Sequence, residues 1–244
     1  MRSSGLTRLL LVAMTATLLL GGLWLAPPEP VSAATITVNS TADVNSNDGQ
    51  CTLREAIRSM NDAADALGCV NTGAAYGVDD LIHVPAGVYT LTRAETDPGL
   101  RDLDVRANVV ISGAGAATTI VQANAVTPTD PSATFSRVFE VSDGSNYTDP
   151  LVVIRDMTVR HGKLTGYCDC SEGPEDRDGA GVRNNESLAL LNVIVASNWI
   201  TSTDEDAQGG GIWNNGVMTV TDSIVEHNEA GRGGPVSLMS TTSR

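Results

Sequence analysis

The chain of 244 residues carries 15 Lys and Arg against 29 Asp and Glu, a formal charge of −14. That balance excludes a nucleic-acid or anionic-lipid surface, because phosphate binding rests on clustered basic side chains. Aromatic residues are only 4% of the chain, so Val, Ile, Leu and Ala must fill the interior, and 24 Gly with many Asn, Asp, Ser and Thr suit short strands joined by turns.

At the start, Arg2 and Arg8 precede an apolar run from Leu9 to Leu25 that Pro27 and Pro28 break, the pattern of a secretory signal peptide. Val31, Ser32 and Ala33 supply the small residues that cleavage needs, with Ala34 equally acceptable one step on. Residues 1–33 are therefore expected to be removed. The run is shorter than the roughly 20 apolar residues of a spanning helix, and no positive cluster follows it. The expected location is extracellular or at the cell surface, with no transmembrane segment in the mature chain.

Residues 34–80 read as a lead-in strand followed by one helix and a loop. Thr52 stands three residues before Glu55, the spacing at which two side chains reciprocally cap a helix start, and Leu53, Ala56, Ile57 and Met60 form one apolar face. Four cysteines in an exported chain favour disulfides. A pairing of Cys51 with Cys69 brings their Cα atoms within about 7 Å. A helix running on to Leu67 would hold them roughly 24 Å apart, so the bridge predicts a helix ending near Asn61. Cys168 and Cys170, one residue apart, could form only a strained bridge. Asp43, Asn45, Asn47 and Glu55 offer oxygen ligands in a spacing that partly resembles a calcium loop. Gly49 falls one place late for that motif, Arg54 occupies its twelfth position, and Glu55 is also the capping partner. A solvated turn rich in Asn and Asp is the competing reading.

Residues 81–234 read as stacked strands. Leu81 to Thr92 predicts two strands around Pro85, Ala86 and Gly87, and others fall at Leu103 to Ile111, Thr119 to Ala123 and Arg137 to Val141. An offset of about 30 residues then superposes two segments without a gap. Gly179, Asn184, Asn185, Leu188, Leu190, Asn192, Val195 and Asn198 match Gly209, Asn214, Asn215, Met218, Val220, Asp222, Val225 and Asn228. No single copy can bury its apolar face, so copies must stack. Asn185 with Asn215, and Asn198 with Asn228, are the expected side-chain ladders. The fold class is all-β, a right-handed parallel β-helix solenoid with a short N-terminal capping α-helix; a β-sandwich is the competing architecture. Pro235 to Arg244 abandon the pattern and are expected to be irregular, as at the end of a truncated product.

Asp156 and Asp222 fall at corresponding positions of the repeat, with Asn192 between them. Aligned on one face they are the candidate carboxylates for glycoside hydrolysis or lyase chemistry, while the same spacing also suits turn residues. His83, His161 and His227 lack the short spacing of a zinc site. Trp199 and Trp213 could stack on sugars or simply pack.

The run Cys51, Thr52, Leu53, Arg54, Glu55, Ala56 and Ile57 closely resembles the signature of CSLREA-domain proteins, with Thr52 for the usual Ser. Ile36 to Asp43 and the segment from Asp80 to Leu91 look like the flanks of that signature, and the repeats resemble those of polymorphic outer membrane proteins. The resemblance implies an exported bacterial right-handed β-helix and brings no catalytic residues. The expected function is noncatalytic: a secreted or cell-surface protein presenting loops for adhesion or cell-envelope interaction, its partner a cell-surface or extracellular glycan or protein. A polysaccharide lyase or glycoside hydrolase of the same fold, and a remnant of a longer surface protein, are the alternatives. No cofactor is required, calcium being the one candidate.

Overall fold

The structure, a computed structural model, describes residues 33–77, 79–93, 101–134, 136–144, 150–164, 178–201 and 207–231, with the backbone of 236–238. Residues 1–32 of the segment expected to be a signal peptide, and both Cys168 and Cys170, lie outside the described residues.

The described residues are mostly strands in parallel sheets, with one helix. The first sheet contains β1 (Thr35–Thr37), β2 (Asp80–Val84), β3 (Gly87–Thr90), β5 (Val109–Gly113), β6 (Thr119–Gln122), β8 (Leu151–Arg160), β11 (Ser187–Ala196), β14 (Val217–Thr221) and β15 (Ile224–Glu226). A second sheet orders β4 (Leu103–Val105), β7 (Phe139–Val141), β10 (Val182–Asn184), β13 (Ile212–Asn214) and β17 (Val236–Leu238). A third holds β9 (Lys163–Leu164), β12 (Trp199–Ile200) and β16 (Glu229–Ala230). Within the segment expected to be irregular, Val236–Leu238 form a strand instead: Val236 pairs with Ile212 and Leu238 with Asn214.

The alternation of apolar and polar residues explains the core. In β8 the side chains of Val152, Ile154, Met157 and Val159 are fully buried, and in β11 Leu188, Leu190, Val193 and Val195 take the same places. Between the second and third of each set the alternation slips by one residue. Asp156 (φ 58°) and Asn192 (φ 53°) sit at the slip in left-handed backbone, with Asp222 (φ 50°) at the same place between β14 and β15. Asp and Asn are among the few residues other than glycine that reach this region routinely.

Amide ladders join successive strands. Asn198 donates to Asn228 Oδ1 at 2.9 Å, and Asn184 donates to Asn214 Oδ1 at 2.5 Å. The expected ladder of Asn185 with Asn215 is therefore one residue off. Asn184 and Asn214 are the buried members of these pairs, where an amide must find a partner. Asn185 and Asn215 instead donate main-chain N–H groups to Val141 O and Asn184 O.

Helix α1 (Leu53–Asp62) starts with Thr52 and Glu55 in a reciprocal box and ends at Ala63 in left-handed backbone. Leu53, Ala56, Ile57 and Met60 face the core, and the helix lies against β2 and β4. The disulfide Cys51–Cys69, with Cα atoms 4.5 Å apart, folds the segment after the helix back to its start.

Candidate functional site

The second sheet carries the densest group of charged side chains among the described residues. Its strands are three residues long, and the outer two of each strand from β4 to β13 are buried. Strand alternation turns the middle residues to the opposite face. Register then lines up Asp104, Glu140, Arg183 and Trp213 in that order. Asp102, just before β4, joins them: Asp102, Asp104 and Glu140 bring carboxylate oxygens within 4.8 Å of one another.

Arginines hold these carboxylates. Arg137 Nη1 lies 2.8 Å from Asp102 and 2.7 Å from Glu140, Arg183 Nη1 lies 3.2 Å from Glu140, and Arg106 lies 3.1 Å from Asp104. The Arg183 guanidinium also stands over the Trp213 ring, 5.3 Å from its centroid. Burial, aided by the negative charges of Asp102 and Glu140, raises the Asp104 carboxyl from 3.8 to about 7 against the pull of Arg106. Chemically, the group can hold a proton near neutrality at Asp104. The three carboxylates are also the set that could ligate a cation, in competition with the guanidinium groups already bound to them.

A groove of about 450 Å³ opens beside this cluster, between α1 and β4. Its walls are fastened together by side chains of the helix. Arg54 donates to Asp102 O and Arg101 O while its guanidinium grips Asp43 at 2.6 and 3.2 Å. Asn61 donates to Asp104 O and accepts from the Arg106 N–H.

The candidate calcium ligands already have protein partners at Asp43, Asn45 and Glu55. Asp43 is occupied by Arg54 and by the N–H groups of Thr92 and Arg93. Glu55 accepts from the N–H groups of Ser46 and Thr52, Asn45 accepts from Arg58, and Asn47 is exposed. Asp43 and Glu55 thus meet donors from Arg54, Thr92, Arg93, Ser46 and Thr52. Asp156 and Asp222 take the left-handed turn positions, and Asp156 accepts from Asn192 at 2.7 Å, so the turn explanation for their spacing holds. Trp213 is buried beneath Arg183 rather than offered to a sugar. His161 is buried against Asn124 O, and burial lowers its pKa. At the predicted cleavage point, Ala33 O accepts from Ala74 N, and the Ala34 N–H donates to the buried Asp80 carboxylate at 3.0 Å.

The Asp102, Asp104 and Glu140 group was not anticipated from the sequence. The β4–β7 and β7–β10 pairings come from the part of the chain where the spacing between matching strands is uneven. The repeat pattern could locate them only after those strands had been aligned.

These features define a class: a chain of mostly parallel strands with one disulfide-tethered helix. No helix among the described residues is long and apolar enough to cross a membrane. In comparison with known proteins, the chain matches no family model, no curated protein and no solved structure.

Proposed function

We propose that this chain is an exported right-handed parallel β-helix, closed at its N-terminal end by α1, that acts without catalysis as a surface-binding scaffold. Its loops are presented for adhesion or cell-envelope interaction, with a glycan or protein as partner. The observation that carries this reading is the arginine network: the carboxylates best placed for chemistry are held by Arg106, Arg137 and Arg183. Such a network fixes the geometry of this part of the second sheet. The similarity of Cys51 to Ile57 to CSLREA-domain proteins supports export and the architecture, and the Cys51–Cys69 bridge suits an oxidising compartment.

Glycoside hydrolysis is the second reading. A carboxyl that holds its proton near pH 7, beside two other carboxylates, has the protonation contrast that acid catalysis of glycosidic cleavage uses. One experiment separates the two readings. The exported chain is offered neutral and acidic polysaccharides, with and without calcium, and released ends are measured. The scaffold reading expects no turnover and retention of the chain on cell surfaces or envelope preparations. Turnover abolished by Asp104→Asn would replace it with the enzyme reading, and absence of both turnover and retention would sink both.

A further inference from the structure

The groove between α1 and β4 is where the scaffold reading can be given a ligand. We infer that it is a binding site for a neutral, hydroxyl-rich sugar, an inference that rests on the surface-binding function proposed above.

Charge gives the first argument. The groove is lined by Arg54, Arg58 and Arg106 and by Asp62, Asp102 and Asp104, three of each sign, in a chain whose net charge is −14. An anionic ligand would meet the repulsive field of the whole chain, and a cation would meet three guanidinium groups. With Asn61 engaged by the main chain, Asn45, Arg58 and Arg106 are the planar groups at the rim, and together they both donate and accept. Paired hydroxyls of an uncharged sugar can match such groups.

The apolar lining excludes other partners. Among the described lining residues, Ile57 and Leu103 are the apolar ones and are 3% and 1% exposed, so neither is an anchor of the kind on which protein interfaces depend. Its volume of about 450 Å³ lies within the range of small-ligand sites.

Preorganisation supplies the third argument. Arg54 and Asn61 fix the two walls through the main chain of residues 101–106, so binding need not order them. The rim is different. Arg58 and Arg106 are 51% and 57% exposed; Arg58 pairs with the 56% exposed Asp62 at 3.3 Å, and Arg106 with Asp104, 21% exposed, at 3.1 Å. The exposed Arg58–Asp62 pair contributes little to stability, so the Arg58 head can turn to a ligand at small cost.

The test is calorimetric titration of the exported chain with cello-, manno- and chito-oligosaccharides. Oligogalacturonate serves as the anionic probe and a short uncharged peptide as the protein-like one. Arg58→Ala combined with Arg106→Ala removes both rim heads, and circular dichroism checks that the double variant is folded before it is titrated. The expected result is binding of at least one neutral sugar, weakened about tenfold or more in the double variant. Binding of only the anionic or peptide probe, no binding of any neutral sugar by the folded chain, or unchanged affinity in the double variant overturns the inference. Cell-surface retention, followed in parallel, separates this site from the broader function. Retention that survives the double variant, with no sugar bound, removes the groove and leaves the scaffold.

Discussion

At the N-terminal end of the strand stack, α1 packs over β2 and β4, a disulfide ties its start to the following loop, and Arg54 and Asp43 pair with side chains 9% and 4% exposed. At the C-terminal end, β14 and β15 repeat the apolar alternation of β11, yet no strand among the described residues pairs with their far side. Leu190 is fully buried, whereas Val220, its partner in register, is 47% exposed. Val217 and Ile224 are exposed nearby. The same residue pattern thus yields a core position at one level and a half-open one at the next. Alternation specifies which face a side chain takes; only a neighbouring element specifies whether that face is dry.

The sharpest way to break this comparison is at the capped end. Asp43→Ala leaves the Arg54 guanidinium buried without its carboxylate and is expected to cost about 3–5 kcal/mol, read as a lower urea midpoint. A loss within the range of an exposed pair would mean that the Arg54–Asp43 pair is open to solvent. Next comes the register pair itself. Leu190→Ala should cost about 2–5 kcal/mol, the usual range for a buried leucine, whereas Val220→Ala should cost less than about 1 kcal/mol. Equal losses would show that Val220 is covered in solution.

The last expected effect sharpens the helix-bearing end. Because the Asp104 carboxyl is raised from 3.8 to about 7, the folded chain holds its proton more tightly than the unfolded chain. Stability from this group therefore falls as pH rises from about 4 to 7. Asp104→Asn should flatten that fall, gaining roughly 1–3 kcal/mol relative to the parent chain by neutral pH. Parallel pH curves for the two would place the proton elsewhere in the cluster.

Much of the fold could be read from residues alone. The shift of 30 that aligns Asn198 with Asn228 and Asn184 with Asn214 is visible because no insertion interrupts it. The capping pair Thr52 and Glu55 is visible because it is local. The Asp102, Asp104 and Glu140 group is not visible, because the steps upstream are uneven. Asn192 meets Asp156 across 36 residues, and Arg183 meets Glu140 across 43. The competition for Asp43 was hidden for a related reason. Its spacing with Asn45 and Asn47 is that of a ligand loop, and only the packing of α1 brings Arg54 onto it.

Those uneven steps have a consequence for how such a chain can change. Strands separated by 30, 36 and 43 residues still pair in register, with Asp156, Asn192 and Asp222 at the same bend. Between β8 and β11 the step of 36 is the same on both sides of the bend, whereas between β5, β6 and β8 it falls from 43 to 38 across it. The chain can therefore acquire new surface in insertions while keeping its strands paired in register, as a binder takes extra pages without disturbing its rings.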